Sequence, residues 1–285
     1  MRCLRGKNAI ITGAASGIGR AIALQMARNQ CNLFLIDIDR EGLNQICEAS
    51  RSFDIEVHAC CIDLANSDAI SQAVRQAARK FRTIDILINN AGICYYGKSV
   101  NMRPSQWQRM VAINLSAPMQ LVHECLPFLL TQDRSHVVNI ASMYGLFVTS
   151  KSTTYHATKF GLVGFSEALR AEYKRFGLGV SAVCPGYVKT KLMTSMENSD
   201  PRAAKGPPKW MQCSPETVAR RTIRAIRRNQ RMAVITPTAH VCYRLRQWFP
   251  GIMANVAALG RRKKYETHLR HLQTYDEEAG TKRAA

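Results

Sequence analysis

Residues 8–27 read NAIITGAASGIGRAIALQMA, and the order of residue types in this stretch decides the fold. NAIIT (8–12) is a short apolar run with β-branched members, the pattern of a buried strand. From Gly13 onward the apolar positions switch to helical spacing, at Ile18, Ala21, Ile22 and Met26. Between the two, Gly13, Gly17 and Gly19 make a GxxxGxG turn. Strand, glycine-rich turn and helix together let backbone N–H groups at a helix start approach a pyrophosphate closely. A glycine-rich loop alone is a weak signal, but its position at the head of a βαβ unit strengthens it.

The same alternation continues outward. Strands are predicted at 32–36 (NLFLI), 56–62, 84–88, 136–140 (HVVNI) and 179–183 (GVSAV), with a short last strand at 234–237. Helices are predicted near 42–50, at 67–81, over 105–130 with an interruption or bend at Pro118, at 155–176 and at 215–229. Strands alternating with helices imply a doubly wound parallel α/β sheet covered on both faces. No repeat or linker divides residues 1–183, so one domain is expected. Residues 1–240 are read as that domain, with a Pro-rich, polar substrate loop over 193–214. Residues 241–285 are read as a basic, partly apolar C-terminal extension.

The formal charge is +20, unevenly placed. Residues 202–285 hold eighteen Lys and Arg against five Asp and Glu, whereas residues 1–201 hold twenty-two against fifteen. A basic C-terminal region fits an anionic partner, or simply a solvated surface. Ten cysteines lie scattered without CxxC spacing, which supports neither a zinc site nor a disulfide framework and suits a reducing cytoplasm. The chain opens on MRCLRGKNAIITG without an apolar leader, and no run approaches the roughly 18 apolar residues of a spanning helix.

Two carboxylate and hydroxyl signals follow. Asp37 ends the second strand, where it can accept hydrogen bonds from adenosine ribose hydroxyls and would repel a 2′-phosphate. NAD is therefore the expected cofactor and NADP the less favoured one, with Arg40 offsetting some of the charge. Farther on, Tyr155 precedes Lys159 by one helical turn, so the ammonium can lie beside the phenol. That placement is expected to lower the phenol pKa towards neutrality and make it a usable general acid or base. Ser142, thirteen residues upstream at the end of a β-rich run, can hydrogen-bond the same reacting oxygen. Each piece has a plainer reading: a helix cap, a turn residue, a solvated lysine. Their joint order is hard to obtain by chance.

On these residues the chain resembles the short-chain dehydrogenase/reductase family, over roughly residues 7–190, which implies a Rossmann fold and NAD(P)-dependent oxidoreduction. TGAASGIG (12–19) is similar to the family's cofactor loop, so Gly13, Ser16, Gly17, Ile18 and Gly19 are its expected cofactor contacts. Asp63 and Leu64 resemble the adenine-contact pair, and NNAG (89–92), with Asn90, Ala91 and Gly92, the central-strand motif. Asn114 in AINLSAP, with Ser142, Tyr155 and Lys159, matches the family's catalytic set. Pro185, Gly186, Val188 and Thr190 match its nicotinamide-side segment. The resemblance implies that Tyr155 exchanges the substrate proton, Ser142 polarises the substrate oxygen, and Lys159 binds nicotinamide-ribose hydroxyls. It implies that Asn114 anchors a water relay and that Thr190 holds the carboxamide. His156-Ala157-Thr158 replaces the usual small-residue tail and is expected to be tolerated.

In the family's substrate-lining segments this chain places Ile93, Cys94, Tyr95, Tyr96, Met143, Tyr144, Phe147 and Tyr187, with Met193, Met196 and Trp210 in the loop. Such a lining suits a hydrophobic alcohol or ketone, of steroid, retinoid or acyl type. Alternatives are an NADP(H)-dependent 3-ketoacyl reductase and a non-catalytic scaffold that binds membrane or RNA. A homodimer or homotetramer through the 105–130 and 155–176 helices is expected. Residues 243–262, with Trp248, Phe249 and flanking arginines, resemble an interfacial membrane segment interrupted by Pro250 and Gly251. The expected location is the cytoplasm, with peripheral contact to an anionic membrane rather than to nucleic acid.

Overall fold

The computed structural model describes residues 1–190, 197–198 and 208–251. Its elements run β1 (Asn8–Thr12), α1 (Gly17–Arg28), β2 (Asn32–Asp37), α2 (Arg40–Arg51), β3 (Val57–Cys61), α3 (Ser67–Phe81) and β4 (Ile86–Asn89). There follow a two-residue strand β5 (Tyr95–Tyr96), α4 (Pro104–Val111), α5 (Ala117–Leu129), β6 (Ser135–Ile140), α6 (Thr153–Tyr173) and β7 (Leu178–Cys184). Short strands β8 (Tyr187–Val188), β9 (Glu197–Asn198) and β10 (Gln212–Cys213) precede α7 (Pro215–Arg228), β11 (Met232–Val234) and α8 (Pro237–Trp248).

Seven strands form one parallel sheet in the order β11-β7-β6-β4-β1-β2-β3. Side chains alternate across it, as a period of two requires. On β1, Ala9 and Ile11 face the layer of α1, α2 and α7, while Ile10 faces α3, α5 and α6. On β2, Leu33 and Leu35 take the first side and Phe34 and Ile36 the second. Both faces are therefore covered, which accounts for the near-continuous apolar runs of the strands. The doubly wound sheet read from the sequence is the fold observed.

Three local differences have physical causes. The interruption expected at Pro118 is a π turn at Ala112–Ser116, just upstream, and Pro118 itself sits in the first turn of α5. Part of the segment read as a loop is ordered: Gln212–Cys213 pairs in parallel with Tyr187–Val188. Helix α8 was not expected from the sequence. It is capped by Thr236, whose side chain accepts from Ala239 N, and it runs from Pro237 to Trp248, across the position 240 at which the sequence reading divided the chain. Met193, Met196 and residues 252–285 lie outside the described residues.

At the N-terminal end of the sheet, His136 and Gly179 stand opposite one another on β6 and β7. A Cβ on Gly179 would run into the imidazole, so the glycine leaves room for the ring. Ser181 Oγ donates to Gln230 O, which leaves His136 Nε2 to donate to Ser181 Oγ at 2.9 Å. Burial holds this histidine neutral, with its pKa pulled from 6.5 to about 3. Above 6.5 neither folded nor unfolded chain gains a proton at this group. Below it the unfolded chain binds one that the folded chain refuses, so stability falls with pH by about 1.4 kcal/mol per unit until pH nears 3. Urea midpoints between pH 7 and pH 5 should therefore fall more steeply for the parent than for His136→Gln. Parallel slopes would show that the histidine plays no part.

Candidate active site

The C-terminal ends of β1, β2, β3 and β4 open into one cavity of about 350 Å³. The glycine turn forms one wall through Gly13, Ser16, Gly17 and Ile18. Gly13 and Gly17 adopt φ of +64° and +53°, left-handed conformations that a side chain would strain. A Cβ on Gly13 would stand 2.8 Å from the Ala91 Cα, and one on Gly19 would collide with the Gly13 carbonyl. The turn is pinned to the end of β4. Asn90 Nδ2 donates to Thr12 O (3.0 Å) and Gly13 O (3.1 Å), while Thr12 Oγ1 accepts from the N–H groups of Asn90 (3.0 Å) and Ala91 (3.1 Å). Ser16 precedes α1 in an extended conformation and its hydroxyl makes no capping bond.

Asp37 lines the same cavity at the end of β2, and its Oδ2 accepts from Ala15 N at 2.9 Å. The carboxylate thus braces the glycine turn while keeping further acceptor positions. Of its two plainer readings, the turn role is present, since its Oδ1 accepts from Asp39 N at 3.1 Å, whereas the helix cap is filled by Asp39, which accepts from Gly42 N. Asp63 and Leu64 close the far wall, with Ile38 and Ile113. Arg109 is a lining residue that the sequence reading missed: from α4 its Nη2 donates to Asp63 Oδ2 at 2.9 Å. Burial pushes the Asp63 carboxyl up, but hydrogen bonds from Ala65 N and Arg109 outweigh it and hold the pKa below the usual carboxylate range. Arg109 sits beyond any local motif, so only its tertiary contact with Asp63, after the end of β3, reveals it.

Asn90, Ala91 and Gly92 also line the cavity, and Thr190 reaches it from beyond β8. A Cβ on Gly17 would meet Thr190 Cγ2 at 3.1 Å, so the turn and Thr190 face each other at contact distance. Pro185, Gly186 and Val188 stand behind this surface. Pro185 O accepts from Met143 N, Gly186 packs against Thr236, and Val188 belongs to the core cluster around α1. The glycine cradle, the uncommitted N–H groups at the α1 start and the carboxylate at the end of β2 together fit a dinucleotide.

Ser142, Tyr155 and Lys159 come together at the C-terminal end of β6, all buried. Ser142 Oγ accepts from Tyr144 N at 3.1 Å, capping a short 3-10 turn (Met143–Gly145), and the hydroxyl also hydrogen-bonds Tyr155. Lys159 Nζ donates to Ile140 O at 2.9 Å and stands 5.6 Å from the centroid of the Tyr155 ring. The expected lowering of the phenol pKa is not met by these side chains. Burial pushes the Tyr155 phenol above its ordinary value and the nearby Cys94 adds to this, while the Ser142 hydrogen bond opposes it. Lys159 itself is pulled down to about 8 by burial. An ammonium so desolvated has a weaker hold on its proton and cannot dominate the phenol's surroundings.

Asn114 lies in the π turn between α4 and α5. Its Oδ1 accepts from Ile93 N and its Nδ2 donates to Ile93 O, both at 2.8 Å, which ties the turn to the segment after β4. Gly92 sits between it and Lys159: a Cβ there would lie 3.3 Å from Asn114 Oδ1 and 3.6 Å from Lys159 Nζ. The side-chain amide is thereby occupied by the backbone of Ile93.

The aromatic residues divide. Tyr95, Met143 and Phe147 are core. Tyr144 and Tyr187 are half-buried, joined through their hydroxyls at 2.9 Å, and the Tyr144 ring meets Tyr155 edge-on at 6.1 Å. Cys94 is near Lys159 and Tyr155, and burial lifts its thiol to about 12. Trp210 is 78% exposed. His156 does more than replace a small residue. Its Nδ1–H donates to Tyr144 O (2.8 Å) and its Nε2 accepts from Thr149 N (3.0 Å), fastening the 142–149 segment to α6. From the other side Arg246 of α8 donates to Leu146 O at 2.7 Å and lies 4.5 Å over the Phe160 ring.

A dinucleotide cradle abutting a Ser-Tyr-Lys group defines an oxidoreductase of the nicotinamide-dependent class. The chain belongs to the short chain dehydrogenase family, whose model matches residues 7–201. It is 34% identical to the ketoacyl reductase HetN of Nostoc sp. over 80% of this chain and 77% of that one. It is 32% identical to a D-beta-hydroxybutyrate dehydrogenase of Cupriavidus necator over 67% and 74% of the two chains. Its fold is similar to that of a short chain dehydrogenase/reductase from Burkholderia phymatum in complex with NAD, with a TM-score of 0.78 and 25% identity, covering 88% and 96% of the chains.

Proposed function

We propose that this protein interconverts a hydrophobic secondary alcohol and its ketone with NAD(H). The observation that carries the reading is the buried Ser142–Tyr155–Lys159 group beside a cavity bounded by the glycine turn and Asp37. A bound nicotinamide dinucleotide would supply the hydride. Gly13, Ser16, Gly17 and Ile18 would hold its pyrophosphate, Asp37 its adenosine ribose, Asp63, Leu64 and Arg109 its adenine end, and Thr190 and Lys159 its nicotinamide end.

Tyr155 then gives or takes the proton at the substrate oxygen, and Ser142 donates a hydrogen bond to that oxygen. The Tyr155 phenol carries its proton at neutral pH and so stands in the donor form for the reducing direction, while burial makes that proton harder to release. Tyr144 and Tyr187 offer ring surface to an apolar substrate beside the reacting oxygen. A second reading, a 3-ketoacyl substrate, is favoured by the ketoacyl reductase among the relatives. A panel of steroid, retinoid, aliphatic and 3-hydroxyacyl alcohols, followed by NADH absorbance, separates the two.

Tyr155→Phe should lower turnover by roughly a hundredfold or more while NADH binding, read by fluorescence titration, changes little. Near-normal turnover would mean that the proton comes from another group.

The parent chain should bind NADH more tightly than NADPH. Asp37→Ala with Ile38→Arg should shift the ratio towards NADPH by roughly tenfold to a hundredfold, since a guanidinium then meets the 2′-phosphate. Ile38 lines the cavity and is exposed, so the arginine has room. Tighter NADPH binding by the parent would overturn the role given to Asp37.

We also place a homodimer contact on α5 and α6. Their outer faces leave Met119 and Leu130 exposed, and the space over Gly164 is open. Light scattering should report at least two copies at micromolar concentration, and a monomer would exclude this contact.

A further inference from the structure

Helix α8 is apolar on two faces, and the described residues cover only one. Ala239, Cys242, Tyr243 and Arg246, at helical spacing, turn inward onto the cluster that holds Met143, Leu146 and Phe147. Val241, Leu245 and Trp248 follow the same spacing on the outer side and are 56%, 42% and 72% exposed; Phe249 after them is 48% exposed. A helix with an apolar stripe on each side ordinarily has both sides buried. Arg244 lies within the outer stripe, one turn before Trp248.

Charge selects the occupant. Helix α8 carries Arg244 within its outer stripe and has no Asp or Glu anywhere along Pro237–Trp248. A second copy seated on this face would bring like charges together with no carboxylate on the helix to answer them. Nucleic acid would meet the charge but give the apolar side chains no place. An anionic bilayer offers both, with phosphates for Arg244 and acyl-chain boundary for the stripe, and Trp favours that depth.

We propose that the outer face of α8 is a docking surface for an anionic lipid bilayer. The inner face of the same helix holds the Leu146 carbonyl, so docking places the wall containing Tyr144 beside the lipid. This assignment gains its purpose from the reading of the substrate as lipid-soluble, but vesicle binding is measured without turnover, so either can fail alone.

The experiment is co-sedimentation of the full chain with vesicles of phosphatidylcholine, with and without phosphatidylglycerol, at low and high salt. The parent should bind the anionic vesicles, less at high salt, and bind phosphatidylcholine weakly. Replacing Val241, Leu245 and Trp248 together by Ser should reduce that binding at least about tenfold, with NADH binding and the urea midpoint unchanged. Should this variant lose its fold, Arg244→Glu, an exposed change, must by itself weaken binding to anionic vesicles. No binding of the parent, or equal binding of parent and stripe variant, overturns the proposal. So does a parent assembly that the stripe variant splits in light scattering, which would make the face a contact between copies.

Discussion

The candidate site depends on a hydrogen-bonded splice between two neighbouring strand ends. β1 and β4 pair in parallel, so Thr12 and Asn90 arrive side by side at the same end of the sheet. The Thr12 hydroxyl receives two backbone N–H groups, and the Asn90 amide returns to two carbonyls of the glycine turn. Buried polar groups of this kind are costly when unpaired and rigid when paired. The splice fixes the turn, the turn meets Asp37 and Thr190, and Gly92 two residues later faces both Asn114 and Lys159. Removing either side chain would leave several of these groups unpaired at once.

Electrostatics in the second half of the site follow from burial more than from charge pairing. A phenol and an ammonium taken out of water both move towards their neutral forms. Tyr155 therefore keeps its proton more firmly and Lys159 less firmly than in solution. The side chains alone make a proton donor and a poised amine rather than a phenolate with its counter-ion. Cys94 and Cys184, both near Lys159, are held as thiols by the same desolvation.

Much of this was legible in the chain. The strand and helix periods gave the layered sheet, because parallel strands covered on both faces leave continuous apolar runs. Ser142, Tyr155 and Lys159 were legible through spacing, and Asp37 through its place after β2. Arg109 was not, since its partner Asp63 lies 46 residues away and no pattern links them. Helix α8 was hidden because its two apolar stripes blur the single-faced period that marks an amphipathic helix. The interruption was placed at Pro118, whereas it falls in the π turn at Ala112–Ser116 that carries Asn114. The sign of the Tyr155 shift depended on burial depth, which spacing does not report.

The bond from Arg246 to the Leu146 carbonyl joins residues a hundred positions apart. During synthesis the dinucleotide cradle, drawn from residues 13–113 and Thr190, has all its parts long before α8 has left the ribosome. The wall beside Tyr155 does not. A chain paused before Arg246 has every residue of the cofactor loop, while its 142–149 segment is held by His156, Pro185 and Tyr187 and still lacks the bond to Arg246. The substrate wall is therefore complete only once α8 has folded against it, after every part of the cradle is already present in the chain.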